Sequence, residues 1–232
     1  MPILTPMAKL PNKGDRDVFV GVVQGTLELM MAQVRVVNAV GAQLAVFIAN
    51  VNTQVTARWI AGTLASDLLA IFVQAQQAGI GYDGLEVVRL YLLELPALNP
   101  FPQKVQQLLM QLTLARMATV IAGTTFASRQ EIETALLRMG EAFDQAKVLM
   151  ASELGAGNWL ALVALEGAVM VDLTTRQRPL PLMIGYSVAA ILPALALSAY
   201  LYNDGSRADE LAAENNTPNP CFMPPSGFAL SS

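Results

Sequence analysis

Ile191-Leu-Pro-Ala-Leu-Ala-Leu-Ser-Ala-Tyr-Leu-Tyr202, then Asn203-Asp-Gly-Ser-Arg-Ala-Asp-Glu-Leu-Ala-Ala-Glu-Asn-Asn216, then Pro218-Asn-Pro-Cys-Phe-Met-Pro-Pro-Ser-Gly-Phe-Ala-Leu230 is the stretch that decides the fold. Its apolar first part predicts a helix over residues 192–202, opened by Pro193, whose missing N–H costs nothing in a first turn. Asn203-Asp-Gly predicts a turn. Ser206-Arg-Ala-Asp209 has capping-box spacing, with Asp in place of Glu, and starts a second short helix that ends near Glu214. Asn215-Asn216-Thr-Pro218 stops that helix. Residues 222–230 read as a terminal strand. Just upstream, Leu180-Pro-Leu-Met-Ile-Gly-Tyr-Ser-Val188 is short, partly β-branched and aromatic, and reads as another strand. The order strand, helix, helix, strand predicts a small α+β module with Val188, Leu195, Leu197, Leu211, Phe222 and Leu230 in its core.

Working towards the N-terminus, residues 17–178 predict an elongated helical region, so the fold class is mainly α with a β-α-α-β module at the end. Val20, Val23, Leu27, Met30, Met31, Val34 and Val37 form one helical stripe, and Leu44, Phe47, Ile48 and Val51 repeat the spacing. Between Val36 and Tyr82 only Arg58 and Asp67 are charged. A helix with apolar and amide side chains but almost no charge suits packing on protein at more than one face. Gly79-Ile-Gly-Tyr-Asp-Gly84 marks a loop. It follows a helix rather than a strand and lacks a Lys, so it is not a phosphate loop. A short helix over residues 85–95 ends at Pro96, with Pro100 and Pro102 punctuating the next connection. Residues 105–121 predict a helix with Leu108, Leu109, Leu112, Leu114 and Met117 inward. Ser128-Arg-Gln-Glu131 is a capping box for a helix over residues 129–154, the most amphipathic of the chain. Gly155 and Gly157 break it, and another apolar helix spans residues 158–174. Residues 1–16, with Pro2, Pro6 and Pro11 and no apolar h-region, read as an extended arm rather than a signal peptide. The predicted domains are thus residues 1–16, 17–178 and 179–232.

Composition narrows the function. The chain has 232 residues, 54% apolar and only 14% charged, against about 25% charged in an average globular protein. Such a chain buries large surfaces against other subunits or lies in a membrane. Eighteen acids outnumber fourteen scattered basic residues, for a net charge of −4; no basic patch is present to release counterions from nucleic acid. With no histidine, the usual general base and the commonest metal ligand are missing. Cys221, the one cysteine, can form no internal disulfide and reads as a small core hydrophobe. The acid pairs Glu131/Glu133 and Asp209/Glu210 fall on helix first turns, where carboxylates favour the dipole. No catalytic, cofactor-binding or metal-binding set follows. Residues 180–202 are uncharged and long enough to span a bilayer, but Pro181, Gly185 and Pro193 and the change from strand-like to helix-like composition argue for two elements of a compact module.

The module resembles the LysM fold. Tyr186-Ser-Val188 is similar to its first-strand motif, residues 192–202 to its first helix, residues 208–216 to its second helix with a terminal Asn, and Pro225-Ser-Gly227-Phe-Ala-Leu230 to its closing strand. Residues 180–230 also resemble the C-terminus of the DNA circularisation proteins of Mu-like phages. There a Leu-Pro-x-Leu-x-Leu-Ala helix leads to a Leu-Tyr-Gly-Asp turn, Arg-Ala-Asp-Glu-Leu, an Asn and His-Pro-x-Phe-x-Pro-x-Gly. Here Gly205 follows Asp204, and Asn219 stands where the family has His. On this resemblance the residues that build the module's core and turns are Tyr186, Val188, Leu195, Leu197, Tyr202, Ser206, Asp209, Leu211, Asn215, Phe222, Gly227 and Leu230.

The resemblance implies a structural virion protein of a contractile-tail baseplate, packing beside the hub, the tail tube and the tape-measure protein and against copies of itself. It implies no cofactor, and a module that clamps protein. The family's label suggests DNA binding, which the acidic composition opposes. The alternatives are a peptidoglycan-binding protein of LysM type and a membrane-embedded helical protein.

Overall fold

The computed structural model describes residues 12–34, 39–96, 98–150 and 156–231. Helices come first: α1 (Lys13–Ala32), α2 (Ala39–Ile60), α3 (Leu64–Gln77), α4 (Tyr82–Glu94), α5 (Pro100–Gly123), α6 (Arg129–Met150) and α7 (Ala156–Gln177). Then follow β1 (Met183–Ser187), α8 (Ala194–Tyr202), a 3-10 turn (Gly205–Arg207), α9 (Ala208–Glu214) and β2 (Ser226–Leu230). The protein is mainly helical with a small two-stranded antiparallel sheet near the C-terminus. It divides into two compact units, Met1–Thr124 with Arg138–Met170, and Thr125–Leu137 with Val171–Ser232. The division falls within α6 and α7, so each lends residues to both units.

The first unit is a helical bundle around an aliphatic core. α1 buries Phe19, Val23, Leu27 and Met30; α2 buries Leu44, Ile48, Val51, Val55 and Trp59; α3 buries Leu64, Leu68, Ile71 and Phe72. These repeat at three and four residues because that spacing keeps side chains on one helical face. Phe19, Trp59 and Phe101 form an aromatic cluster with centroids 5.1–6.2 Å apart, tilted or edge-on as ring quadrupoles prefer. Arg58 and Asp67, the isolated charges of this stretch, pair with each other at 2.6 Å between α2 and α3. Arg89 is buried, yet its guanidinium is fully engaged by the Glu86 carboxylate and by Gln145 Oε1 at 2.6 Å. A buried charge is tolerated only when paired in this way.

Several local expectations are corrected. α1 begins at Lys13, capped by the Asn12 side chain, which accepts the Asp15 N–H at 2.8 Å; the helix therefore starts inside the expected arm. Residues 1–11 of that arm, Val37, Leu154 and Gly155 lie outside the described residues. Phe19 and Val22 point inward in α1, while Val20, Met31 and Val34 are half-buried. Pro100 does not interrupt the connection but opens α5, with Pro102 in the same first turn. Proline's fixed φ and missing N–H fit that place. α4 begins at Tyr82, so Gly84 lies inside the helix, against Ile80 and Gln33. α7 begins at Ala156, so Gly157 falls within its first turn.

The second unit holds the sheet. Met183 pairs with Leu230 and Ser187 with Ser226, and an isolated bridge joins Leu192 to Met223. Its core is a small cluster of Tyr186, Ala194, Leu197, Leu211, Ala212, Met223 and Ala229, with Val188, Leu192, Leu201, Tyr202 and Ala208 half-buried against it. No helix among the described residues is long and apolar enough to cross a membrane. The uncharged stretch over residues 180–202 is divided between β1 and α8.

Candidate functional site

The sheet of the second unit has two strands, hence two open edges, and unpaired edges invite other chains. Each edge is occupied by one side-chain amide. On β1, Gln130 Nε2 donates to the Met183 carbonyl at 3.0 Å, and its Oε1 accepts the Met183 N–H at 2.8 Å. On β2, Asn215 Nδ2 donates to the Phe228 carbonyl at 2.8 Å, and its Oδ1 accepts the Phe228 N–H at 2.8 Å. An amide side chain carries a donor and an acceptor side by side, as a strand backbone does. Asn215 also donates to the Leu211 carbonyl at 2.8 Å, so one residue ties the end of α9 to the strand.

That clamp explains Gly227. A Cβ there would collide with Asn215 Oδ1 and the Tyr186 hydroxyl. The requirement is for space rather than for an unusual φ. Tyr186 itself is buried, donates to the Pro224 carbonyl at 3.2 Å, and has its phenol pKa raised by burial.

The turn between α8 and α9 is built by asparagine and aspartate. Asn203 takes the left-handed conformation at φ 55°, which Asn tolerates better than most residues. Asp204 accepts the Ser206 N–H at 2.8 Å. The Ser206 hydroxyl and its N–H hold the Asp204 carboxyl below its usual pKa. The residue that caps this turn is therefore Asp204; Ser206 lies inside the 3-10 turn, and the expected Ser206–Asp209 box does not form. Asp209 is exposed in the first turn of α9. Arg207 stacks over the Tyr202 ring at 3.8 Å and bridges to Glu210 at 2.5 Å.

The other expected core residues divide. Leu197, Leu211 and Leu230 are buried and Val188 is half-buried. Leu195 and Phe222 are corrected: they are 64% and 66% exposed, and their neighbours Ala194 and Met223 take the inward places. Cys221 is also exposed, in the turn before β2, and is not a core residue. Gln130 was visible in the sequence only as an interior letter of the capping pattern at residues 128–131. That box is half-formed. Ser128 Oγ accepts the Glu131 N–H at 3.3 Å, while the Glu131 carboxylate accepts the Ala127 N–H at 2.8 Å instead of that of Ser128. Arg129 reinforces β1's approach, donating to the Leu180 carbonyl at 2.6 Å and the Arg178 carbonyl at 3.2 Å.

Around these contacts the titratable groups serve the fold. Glu131 and Glu210 are held by the partners named above, and Glu214 is pushed above the usual carboxyl range, chiefly by burial and then by Glu131 and Glu210. Among the described residues no cluster of three His, Cys, Asp or Glu side chains could hold a metal ion. The unit presents a braced strand pair and leaves Ile191, Leu195, Tyr200 and Phe222 exposed. No family model and no curated protein matches the chain.

Proposed function

We propose that the chain is a structural protein of a contractile-tail baseplate in a phage virion, an assembly element that packs by the hub, tail tube and tape-measure protein. The carrying observation is that residues belonging to the two resembled patterns brace the C-terminal unit. Asp204 and Asn215, which the DNA circularisation pattern shares, cap the turn and clamp β2, and Gly227, from the LysM-like closing strand, leaves room for the clamp. A motif whose conspicuous residues hold a small fold, with apolar side chains left outside it, supports the reading of a LysM-like module used as a protein clamp. Specific nucleic-acid binding is not part of the proposal, because the fourteen basic residues are scattered singly and outnumbered by eighteen acids, without the clustered positive charge that phosphate contacts need.

The reading is tested by mass spectrometry and antibody labelling of purified particles. Signal at the baseplate supports it; complete, infectious particles without the chain would sink it. Exposed Tyr200 and Phe222 favour one second reading, peptidoglycan binding, since an aromatic face offers apolar contact to a sugar ring. Retention of the full chain on insoluble peptidoglycan, lost in a Tyr200→Ala and Phe222→Ala double variant, would favour that reading over the baseplate one.

A further inference from the structure

The outer edge of β1 keeps two successive positions open. At the two ends of the ladder the Ser231 N–H donates to the Leu182 carbonyl at 2.6 Å and the Val188 N–H to the Pro225 carbonyl at 2.7 Å. The even-numbered residues of β1 therefore face β2, while Met183, Gly185 and Ser187 turn both N–H and C=O away from it, because strand backbone groups alternate in direction. Gln130 takes the Met183 pair. Gly185 and Ser187 are exposed, and among the described residues nothing bonds to their N–H or C=O groups. The outward residues of β2, in contrast, are split at Phe228 by the Asn215 clamp. Folded proteins usually blunt a strand edge with a charge, a proline or a bulge. None lies in β1: the chain is uncharged between Arg178 and Asp204, and the pairing register runs unbroken through Met183–Ser187.

We propose that this edge of β1 binds an extended, uncharged segment of another protein, added as a third, antiparallel strand with an aromatic side chain opposite Gly185. The open groups sit two residues apart, roughly 6.8 Å along the strand, so one extended segment meets all four at once. Gly185 pairs with Phe228, which places the two on one face of the sheet, and Phe228 is 54% exposed. The residue opposite Gly185 on an added strand lies on that face as well, its Cα roughly 10 Å from that of Phe228, two strand spacings away. Glycine puts no side chain between them. A ring reaching in from the new strand covers Gly185 and meets Phe228, as aromatic neighbours do for edge glycines elsewhere. An ionised side chain in that place would lose water beside Phe228 without gaining a counter-charge. A second copy fits less well. With Met183 taken, two β1 edges pair only with Gly185 opposite a serine, which leaves Phe228 uncovered. The inference rests on the reading of this unit as a protein clamp and specifies what it holds; the experiment below uses the isolated chain, so its outcome is separate from that of particle labelling.

The probe is the blocked peptide acetyl-Thr-Val-Phe-Val-Thr-amide, followed by NMR of the isotope-labelled full chain. In the free chain the Gly185 and Ser187 amides should exchange with solvent quickly, and those of Ile184 and Tyr186 slowly. Titration to about 5 mM peptide, a range that reaches the weak binding expected of a few exposed hydrogen bonds, should move the Gly185 and Ser187 amide resonances. Methylating the Phe nitrogen of the peptide, which removes its donor to Gly185, should weaken binding about 10-fold. Methylating the nitrogen of the first Val, which points away from β1, should leave binding unchanged. Phe228→Ala in the protein should weaken it about 5-fold, the loss of one aromatic pair. If that variant fails to fold, the two methylated peptides decide. A peptide that moves neither amide, or that binds equally well with its Phe nitrogen methylated, overturns the proposal. So does a Gly185 amide that is protected in the free chain, because the edge is then already covered; protection that grows with protein concentration would make a second copy the occupant.

Discussion

In the helical unit the side chains that matter are apolar and point inward; in the unit that holds the sheet they are amides aimed at backbone. The first buries Phe19, Phe72, Phe143 and a long series of Leu, Ile and Val. The second is built around a smaller cluster of Tyr186, Ala194, Leu197, Leu211, Ala212, Met223 and Ala229, and its order depends on Gln130, Asn215 and Asp204 holding N–H and C=O groups. A large core tolerates the loss of any one polar contact. A small one has little apolar burial to spare, so each directional bond has more influence on whether the strand pair forms. The two units should therefore respond to different classes of substitution.

The sharpest test is a cavity in the larger core. Phe72 is fully buried in α3, and Phe72→Ala should cost about 3–5 kcal/mol, the transfer term plus the unfilled volume. The chain's two tryptophans, Trp59 and Trp159, both belong to the helical unit. Urea unfolding followed by tryptophan fluorescence therefore reads that unit. A midpoint that hardly moves would break the comparison by showing that this core is loosely packed.

Next in size is the clamp on β2. Gly227→Ala should cost about 1–3 kcal/mol by overpacking against Asn215 and Tyr186. Asn215→Ala should cost about 1–2 kcal/mol, since two backbone groups of Phe228 lose their partner. The double variant should cost less than the sum, because removing the Asn215 side chain gives the new Cβ room. Hydrogen exchange at the Phe228 amide measures each step, and tryptophan fluorescence should shift little. Strict additivity would mean that the two side chains do not share this space.

This contrast also marks where sequence could be read. Helical character from α1 to α7 was legible because apolar residues recur at helical spacing, though the division of residues 17–78 into α1, α2 and α3 was not, and Asn203 and Asn215-Asn216 were legible as turn and stop residues. Inward and outward faces of α8 were not. Ala-Leu-Ala-Leu-Ser-Ala-Tyr-Leu-Tyr has no charged side to set the phase, so Leu195 was assigned inward although Ala194 and Leu197 hold that face. Phe222 lost its place to Met223 for a related reason: the ladder resumes at Met223 through its N–H to the Leu192 carbonyl at 2.9 Å, and the preceding residue points out. Gln130 was out of reach for local reasoning, because its partner Met183 lies 53 residues away. Proline at residues 100 and 102 read as a break although it opens a helix; the residue alone does not say which.

The smallest expected effects have opposite signs at pH 7 and both fade in acid. The folded-state pKa of Asp204 is lowered by the Ser206 hydroxyl and N–H. Its contribution is therefore present above the unfolded aspartate pKa of about 4 and is lost as pH falls through the lower folded value. Glu214 is the reverse. Burial, then Glu131 and Glu210, raise its pKa, so the native state binds its proton more readily than the unfolded chain does. Glu214 opposes folding above its folded pKa, and the opposition fades as pH falls below the unfolded glutamate value of about 4.3. Asp204→Asn should thus lower Tm at pH 7 and have progressively less effect on acidification. Glu214→Gln should raise Tm at pH 7, an increment that also shrinks in acid. Both are surface-accessible groups, so the shifts should be small and the Glu214 effect should weaken in high salt, which screens the two neighbouring carboxylates but leaves its burial unchanged. A Glu214→Gln variant that is less stable than wild type at pH 7 would show that the ionised carboxylate has a partner in solution, and would move it from the groups that strain this small unit to those that hold it.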